Sequence, residues 1–135
     1  MSLQHISPPN LFNSKQYGFS QLVIAQPAGI FHTSGQVAFD ANENVIGQSL
    51  EDQTQRALEN LDILVQSAGG KLSDVMSLRI YIVHSQRGQL HVIGEALRKF
   101  FGTTQPPATT WIGVSFLAHE DLLIEIEAAG IIPGK

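Results

Sequence analysis

Two adjacent prolines near the end of the chain constrain its architecture more than any other feature. Pro106 and Pro107 follow an apolar helical pattern. Proline cannot continue a helix, because it lacks a backbone N–H and its ring clashes with the preceding turn. The pair therefore predicts a helix stop and an extended strand over residues 105–114. A second strand over 122–128 alternates glutamate with isoleucine. We expect these two strands to form a hairpin that makes one wall of a ligand-binding cleft.

The rest of the chain alternates between strand patterns and two amphipathic helices. Ser49 and Asp52 have the spacing of a helix-capping pair and open the first helix, whose polar faces include Gln53. Gly69–Gly70 ends that helix by supplying a positive φ. The second helix, over 89–101, has a predicted buried stripe of Leu90, Ile93, Leu97, Phe100 and Phe101. Further strands are predicted at 4–6, 21–26, 30–37 and 75–83.

The resulting order, β-β-β-α-β-α-β-β, predicts an α+β protein. We expect a single domain over 1–135, with both helices packed on one face of one mostly antiparallel sheet. Because side chains alternate along a strand, a second group of side chains lies on the sheet face opposite the one with the most regular apolar stripes. This group is Tyr81, Val83, Trp111, Leu123 and Ala129. A half-apolar second face on a domain of this size predicts burial against other subunits.

Composition excludes several classes of function. The 135 residues carry a net charge of −4 and only 8 scattered Lys and Arg, so a surface that binds nucleic acid phosphates is not expected. Without cysteine there is no disulfide framework and no thiolate zinc site. No apolar run approaches the ~20 residues of a membrane span. We therefore expect no membrane association, and a cytoplasmic location.

The histidines and glycines give no sign of a metal or cofactor site. The five histidines lack the spacing of metal ligands, and there is no glycine-rich phosphate-binding loop. His119 lies beside two acids in a turn, and we expect it to be solvated. The sequence therefore predicts no metal and no cofactor.

Several local motifs, in this order and at these spacings, resemble the RidA/YjgF family over essentially the whole chain. They are Thr33–Gln36, the helix from Gln53 to Leu64, Ala68–Gly70 with Ser73–Val75, Phe100–Phe101, Pro107–Ala108 and Ile124–Ala128. The resemblance implies a homotrimer of chorismate-mutase-like fold, with a small-molecule cleft between neighbouring subunits. It also implies hydrolysis of reactive 2-imino and enamino acids to 2-keto acids and ammonia.

The resemblance also assigns expected roles to individual residues. Glu125 corresponds to the glutamate that positions the hydrolytic water, and Gly35 to a glycine that lines the site. Phe19 stands where the family has a tyrosine, although Tyr17 is close enough to be the aligned residue. Gly94, in the second helix, stands where an asparagine is common.

The largest departure from the family pattern follows Pro107–Ala108. The family has an arginine there that binds the substrate carboxylate, whereas this chain has Thr109, then Thr110, and Trp111 in place of a much smaller residue. Strand alternation puts Thr109 and Trp111 on one face, which predicts a more aromatic cleft without the fixed positive charge. A charge-assisted hydrogen bond contributes ~1.5–3 kcal/mol. We therefore expect slow turnover of 2-iminobutanoate and a flat or apolar substrate without a carboxylate.

Other interpretations of these residues and of the function stay open. Glu125 fits an ordinary solvent-facing strand position, with Glu127 on the same face for comparison; Trp111 fits packing, and Thr109 and Thr110 fit β-branched strand formers. The chain could be an imine or enamine hydrolase, or a non-catalytic small-molecule-binding or regulatory trimer. A translation inhibitor or ribonuclease is the interpretation that the acidic composition favours least. Replacing Glu125 by Ala or Gln separates the first two.

Overall fold

The computed structural model describes residues 1–134 and confirms the predicted order of elements. The strands are β1 (Ser2–Ile6), β2 (Leu22–Gln26), β3 (Ile30–Thr33), β4 (Val75–Val83), β5 (Ala108–Val114) and β6 (Ile124–Ile131). The helices are α1 (Leu50–Ser67) and α2 (Leu90–Phe101), with short 3-10 turns at Lys15–Tyr17, Leu72–Asp74 and His84–Gln89. The third strand ends earlier than predicted, at Thr33, and Gln36 makes only an isolated bridge to Ile126.

One sheet has the strand order β1-β2-β3-β6-β4-β5. Every pair is antiparallel except β4 and β5, which are parallel and connected through α2. The predicted hairpin between the last two strands is therefore wrong. β6 lies between β3 and β4, and β5 forms an edge beyond β4. Burial explains this placement: β6 buries alternate residues, as a central strand does, whereas most of β5 is exposed.

Helix α1 forms the centre of the core. Its start at Ser49 is capped as predicted, because the Ser49 hydroxyl accepts the Asp52 backbone N–H at 3.0 Å. Its end is followed by Gly69 at φ +87°, a conformation that glycine adopts without strain. The buried apolar stripe of α1 packs on sheet residues that include Leu78, Ile80 and Ile126.

Helix α2 covers the same face of the sheet, but its stripe is less buried than predicted. Only Ile93 is fully buried, whereas Leu90 stays 36% exposed. Leu90 lies beside Trp111 and Gly113 of β5, which is the edge strand of the sheet. Within residues 1–134, neither helix has the length and hydropathy that a membrane crossing would require.

The pairing register decides which side chains share a face. Paired residues on neighbouring strands point the same way. Thr109 and Trp111 pair with Leu78 and Ile80, so they lie on the helix-covered face. Trp111 was predicted on the opposite face, and that prediction is wrong. It is still 39% exposed, because it lies at the edge of the sheet.

The open face of the sheet carries the charged groups. Glu125 and Glu127 pair with Tyr81 and Arg79 across β4. The Tyr81 hydroxyl donates to Glu127 Oε1 at 2.5 Å, and the Arg79 guanidinium lies 3.7 Å from Glu127 Oε2. Glu127 is thus held by two neighbours, which distinguishes it from Glu125.

Candidate active site

A cavity of about 440 Å³ lies between the sheet and three loops. Its walls are mostly aromatic and apolar, and within residues 1–134 they include two carboxylates and no lysine or arginine. The lining residues are Phe12, Tyr17, Phe19, Gly35, Val37, Phe39, Glu43, Ala118, His119, Leu122 and Glu125. Three of the predicted site residues, Phe19, Gly35 and Glu125, meet in this cavity. A concave apolar site with a few polar groups is the usual form of a small-molecule site.

Buried amide side chains from α1 hold the loops that form the cavity. Asn60 Nδ2 donates to the carbonyls of Val37 and Phe39, both at 2.8 Å. Gln53 was predicted on a polar face of α1 but is buried, at 1% exposure. Its Nε2 donates to the Gly47 and Asp121 carbonyls, and its Oε1 accepts the Leu123 N–H. These bonds satisfy loop backbone groups that have no strand partner.

A second pair of amides fixes the loop that carries Phe12. Gln36 Nε2 donates to Gln21 Oε1 at 3.0 Å, and Gln21 Nε2 donates to the Phe12 carbonyl at 3.2 Å. The Gln36 backbone exchanges two hydrogen bonds with Ile126, at 2.7 and 2.9 Å. The residues on either side of this bridge are Gly35 and Glu125, so the bridge sets their separation.

Gly35 and Glu125 are in direct contact. A Cβ on residue 35 would lie 2.2 Å from Glu125 Oε2 and 2.6 Å from its Cγ. No side chain fits there unless the glutamate moves. The glycine predicted to line the site therefore makes room for the carboxylate predicted to be catalytic.

Burial and charge both raise the pKa of Glu125. Loss of solvent is the larger cause, and the negative charge of Glu127 is the smaller one. No hydrogen-bond donor among residues 1–134 offsets them. A carboxyl group with a raised pKa that faces a cavity is suited to accept and return a proton near neutral pH. Glu125 is partly buried, which differs from an ordinary solvent-facing strand residue.

Tyr17 and Glu43 form the outer part of the cavity. The Tyr17 hydroxyl donates to the Glu43 carboxylate, with oxygen distances of 2.7 and 2.9 Å. This hydrogen bond is the main cause that raises the pKa of Tyr17. Glu43 has φ +66°, which is rare for a residue with a long side chain. Both Tyr17 and Phe19 line the cavity. These are the two residues that could align with the tyrosine of the family.

Sequence reasoning missed much of the cavity wall. The rings of Phe12 and Phe39 are 5.3 Å apart and nearly perpendicular, and neither residue had been singled out. His119 was predicted to be solvated, but it is half-buried, with its ring 6.0 Å from that of Phe39. Its Nδ1 accepts the Asp121 N–H at 3.0 Å, which fixes its orientation. These residues lie in loops without periodicity, so no sequence pattern indicated that they converge.

The remaining predicted residues form a second group at the β5 edge. The Trp111 indole N–H donates to the Thr109 hydroxyl at 3.1 Å. A Cβ on Gly94 would lie 4.0 Å from the Trp111 ring and 3.6 Å from Arg98 Nη1. Arg98 and Thr109 also line one shallow depression. Sequence reasoning did not place this arginine, which is one helical turn beyond Gly94, near the predicted site.

The two groups of residues lie on opposite faces of the sheet. Glu125 projects from the open face of β6, while Thr109 and Trp111 project from the helix-covered face of β5, with β4 in between. Thr110 pairs with Arg79 and points to the open face. One chain alone therefore does not bring Glu125 and Trp111 into one site.

The described residues offer little to a metal ion. Within 1–134, no three histidine, aspartate or glutamate side chains converge as a metal site would require. The described part of the cavity instead supplies the Glu125 carboxylate, aromatic walls and a histidine. Such a set can orient a water molecule against a bound electrophile.

This fold and this site define a class of small α+β proteins in which a strand glutamate lies against a loop glycine, and comparison with known proteins specifies the class. A family model described as endoribonuclease L-PSP matches residues 14–132. The chain belongs to this family, the RidA/YjgF family. A RutC family protein of Saccharolobus solfataricus is 36% identical over 98 residues, which cover 72% of this chain and 75% of the relative.

Two further relatives connect the family to known chemistry and to a known structure. A 2-iminobutanoate/2-iminopropanoate deaminase of Dermatophagoides farinae is 30% identical over 116 residues, covering 84% of this chain and 85% of that protein. A solved Rid-family protein of Yersinia pestis superimposes with a TM-score of 0.71 at 38% identity, covering 98% of this chain and all of that one.

Proposed function

We propose that this protein hydrolyses reactive imines or enamines that lack a carboxylate, with Glu125 as the group that handles the proton. The observation that carries the proposal is the Glu125 carboxyl, which has no ion-pair partner within residues 1–134, lies against Gly35 in an aromatic cavity and has a raised pKa. The deaminase named among the relatives supports the reaction class.

The reaction needs only water and one group that exchanges protons. A water oxygen adds to the imine carbon, and Glu125 accepts the proton that the water loses. Glu125 then returns this proton to the nitrogen, which gives a carbinolamine. Glu125 passes a second proton from the carbinolamine hydroxyl to the nitrogen, the C–N bond breaks, and ammonia leaves a carbonyl product. A carboxyl group with a pKa nearer to neutrality serves both steps better than an ordinary glutamate does.

The charge of the cavity supports a substrate without a carboxylate. Among the residues that the structure describes, its lining contains Glu43 and Glu125 but no lysine or arginine, so an anion entering it would meet negative charge. By resemblance, Thr109 occupies the position of the carboxylate-binding arginine, and its hydroxyl already accepts the Trp111 indole N–H. The same acidic lining argues against RNA as the ligand, because phosphates are bound mainly by Lys and Arg.

We further propose that the complete site forms in a homotrimer. Glu125 and the β5 edge group face away from each other in one chain. A neighbouring chain that brought its Gly94, Thr109 and Trp111 to the mouth of the cavity would unite them. The exposed apolar side chains of Leu3, Ile30 and Ile131 on the open face also fit burial between subunits.

The test is ammonia release from an imine generated freshly by oxidation of benzylamine. Glu125→Gln keeps the shape of the side chain but removes the base, and we expect a loss of about 100- to 10,000-fold in rate. Glu127→Gln is the matched control on the same strand and face, and it should stay within several-fold of the natural protein.

Two results would oppose the proposal. Equal rates for the natural protein and Glu125→Gln would show that Glu125 does not handle the proton. If no imine is hydrolysed although the cavity binds one, the non-catalytic binding trimer becomes the better interpretation.

A further inference from the structure

We propose that the aromatic cavity is a binding site for an organic cation, such as a protonated imine or an alkylated ammonium group. This inference deepens the proposed function, because the protonated imine is the form that water attacks most readily. It rests on the walls of the cavity, and all of these walls belong to one chain.

The aromatic rings that line the cavity lie at steep angles to one another and do not stack as one layer. Phe12 contacts Tyr17, Phe19 and Phe39 at centroid distances of 6.5, 6.2 and 5.3 Å, with interplanar angles of 50°, 67° and 84°. Rings at such angles turn their faces in different directions. The face of an aromatic ring attracts a cation through its quadrupole, and the attraction is strongest where water is excluded.

Two carboxylates add to that attraction from different sides. Glu125 is at the sheet side of the cavity against Gly35, and Glu43 is at the outer side, where it accepts the Tyr17 hydroxyl. Within residues 1–134, neither carboxylate lies within ion-pair distance of a lysine, arginine or histidine. The ion pair found in this part of the chain joins Arg79 and Glu127. A cation would supply the missing positive charge.

The backbone at Glu43 is consistent with a role in binding. Its φ of +66° is a conformation that glycine or asparagine adopts at lower cost. The neighbouring Asp40 carboxylate fixes this turn by accepting the N–H groups of Asn42 and Asn44, both at 2.9 Å. The turn thus holds a charged side chain at the cavity in a position where a small residue would fit with less strain.

Three ligands with the same phenyl ring distinguish the effect of ligand charge on binding from the effect of ligand shape. Benzyltrimethylammonium, benzyl alcohol and phenylacetate are a cation, a neutral molecule and an anion, and calorimetry on the intact protein measures their binding. We expect the cation to bind at least about tenfold more tightly than the alcohol, and phenylacetate to bind most weakly. Equal affinities, or tighter binding of phenylacetate, would overturn the inference.

Variants locate the bound cation in the cavity. Tyr17 is 58% exposed, so its replacement leaves the core intact. Tyr17→Leu should weaken binding of benzyltrimethylammonium about fivefold, whereas Tyr17→Phe, which keeps the ring, should retain it. Glu43→Gln and Glu125→Gln should each weaken it by a similar factor. The exposed Glu59→Gln on α1 controls for total charge and should have no effect. Cation binding that none of the cavity variants weakens would contradict the assignment.

Turnover measured beside binding separates this inference from the proposed function. If benzyltrimethylammonium binds and these variants weaken it, while no imine is hydrolysed, the cation site is supported and the hydrolase is not. If imines are hydrolysed but the cation neither binds nor inhibits, the hydrolase is supported and the cation site is overturned.

Discussion

At the scale of single residues, the contact between Gly35 and Glu125 is the most sensitive point of the site. Gly35→Ala would put a methyl group 2.2 Å from Glu125 Oε2 and force the carboxylate to move. Because a misplaced catalytic group is costly, we expect activity to fall by about 10- to 100-fold while the fold persists. Imine turnover and thermal unfolding measure the two effects.

A second glycine serves as the control for that substitution. A Cβ on Gly88 would meet no atom of residues 1–134 within 4 Å, and Gly88 is not among the described residues that line the cavity. Gly88→Ala should therefore leave turnover unchanged. Full activity of Gly35→Ala would mean that the position of Glu125 does not limit the reaction.

The raised pKa of Glu125 predicts the pH dependence of turnover. Glu125 acts as a base only when it is ionised, so activity should be lost as the pH falls through its pKa. Glu127 contributes to the raised pKa through its negative charge, after the larger effect of burial. Glu127→Gln removes this charge and keeps an acceptor for Tyr81. The acid limb of the kcat/KM profile should then move to lower pH.

Glu59→Gln, which changes a distant charge on α1, should leave the acid limb in place. A limb that does not move in Glu127→Gln, or that moves upward, would mean that another group controls the profile.

At the scale of elements, the regular parts of the chain were predictable and the cavity was not. The pattern from Val75 to Val83 and the Ser49 cap gave β4 and the start of α1 correctly, because each depends on local periodicity or a local hydrogen bond. The hairpin prediction failed because the sequence does not say which strand lies beside β6. Phe39 and His119 were missed because distant side chains of α1 position their loops.

Asn60 tests this dependence of the cavity on α1. Asn60→Ala leaves the buried carbonyls of Val37 and Phe39 without their donor. Since an unpaired buried polar group costs about 1–3 kcal/mol, we expect the free energy of unfolding to fall by about 2–4 kcal/mol. Denaturant unfolding measures it. Gln66→Ala removes an exposed α1 amide that donates to Asp62 on the same helix, and should cost less than about 0.5 kcal/mol. Equal losses in both would contradict the anchoring role.

At the scale of the whole molecule, the separation of the two residue groups predicts complementation between chains. Glu125→Gln damages the cavity, and Trp111→Ala damages the β5 edge. If each site combines the cavity of one subunit with the edge of the next, trimers refolded from an equal mixture should regain activity at about a quarter of their sites by random assortment around a closed ring.

A mixture of Glu125→Gln with Gly35→Ala is the control, because both changes affect the same cavity and no intact site can form. Sedimentation of the natural protein gives the number of subunits. A monomer, or mixtures that regain no activity although Trp111→Ala alone is inactive, would contradict a site shared between chains.

The most direct measurement compares ammonia release from two freshly generated imines, the carboxylate-free imine of benzylamine and 2-iminobutanoate. The natural protein, Thr109→Arg and Arg98→Ala are measured side by side. We predict that the natural protein prefers the carboxylate-free imine, that Thr109→Arg shifts the preference toward 2-iminobutanoate, and that Arg98→Ala changes little. Faster turnover of 2-iminobutanoate by the natural protein, lost in Arg98→Ala, would contradict this account and make Arg98 the group that binds the carboxylate.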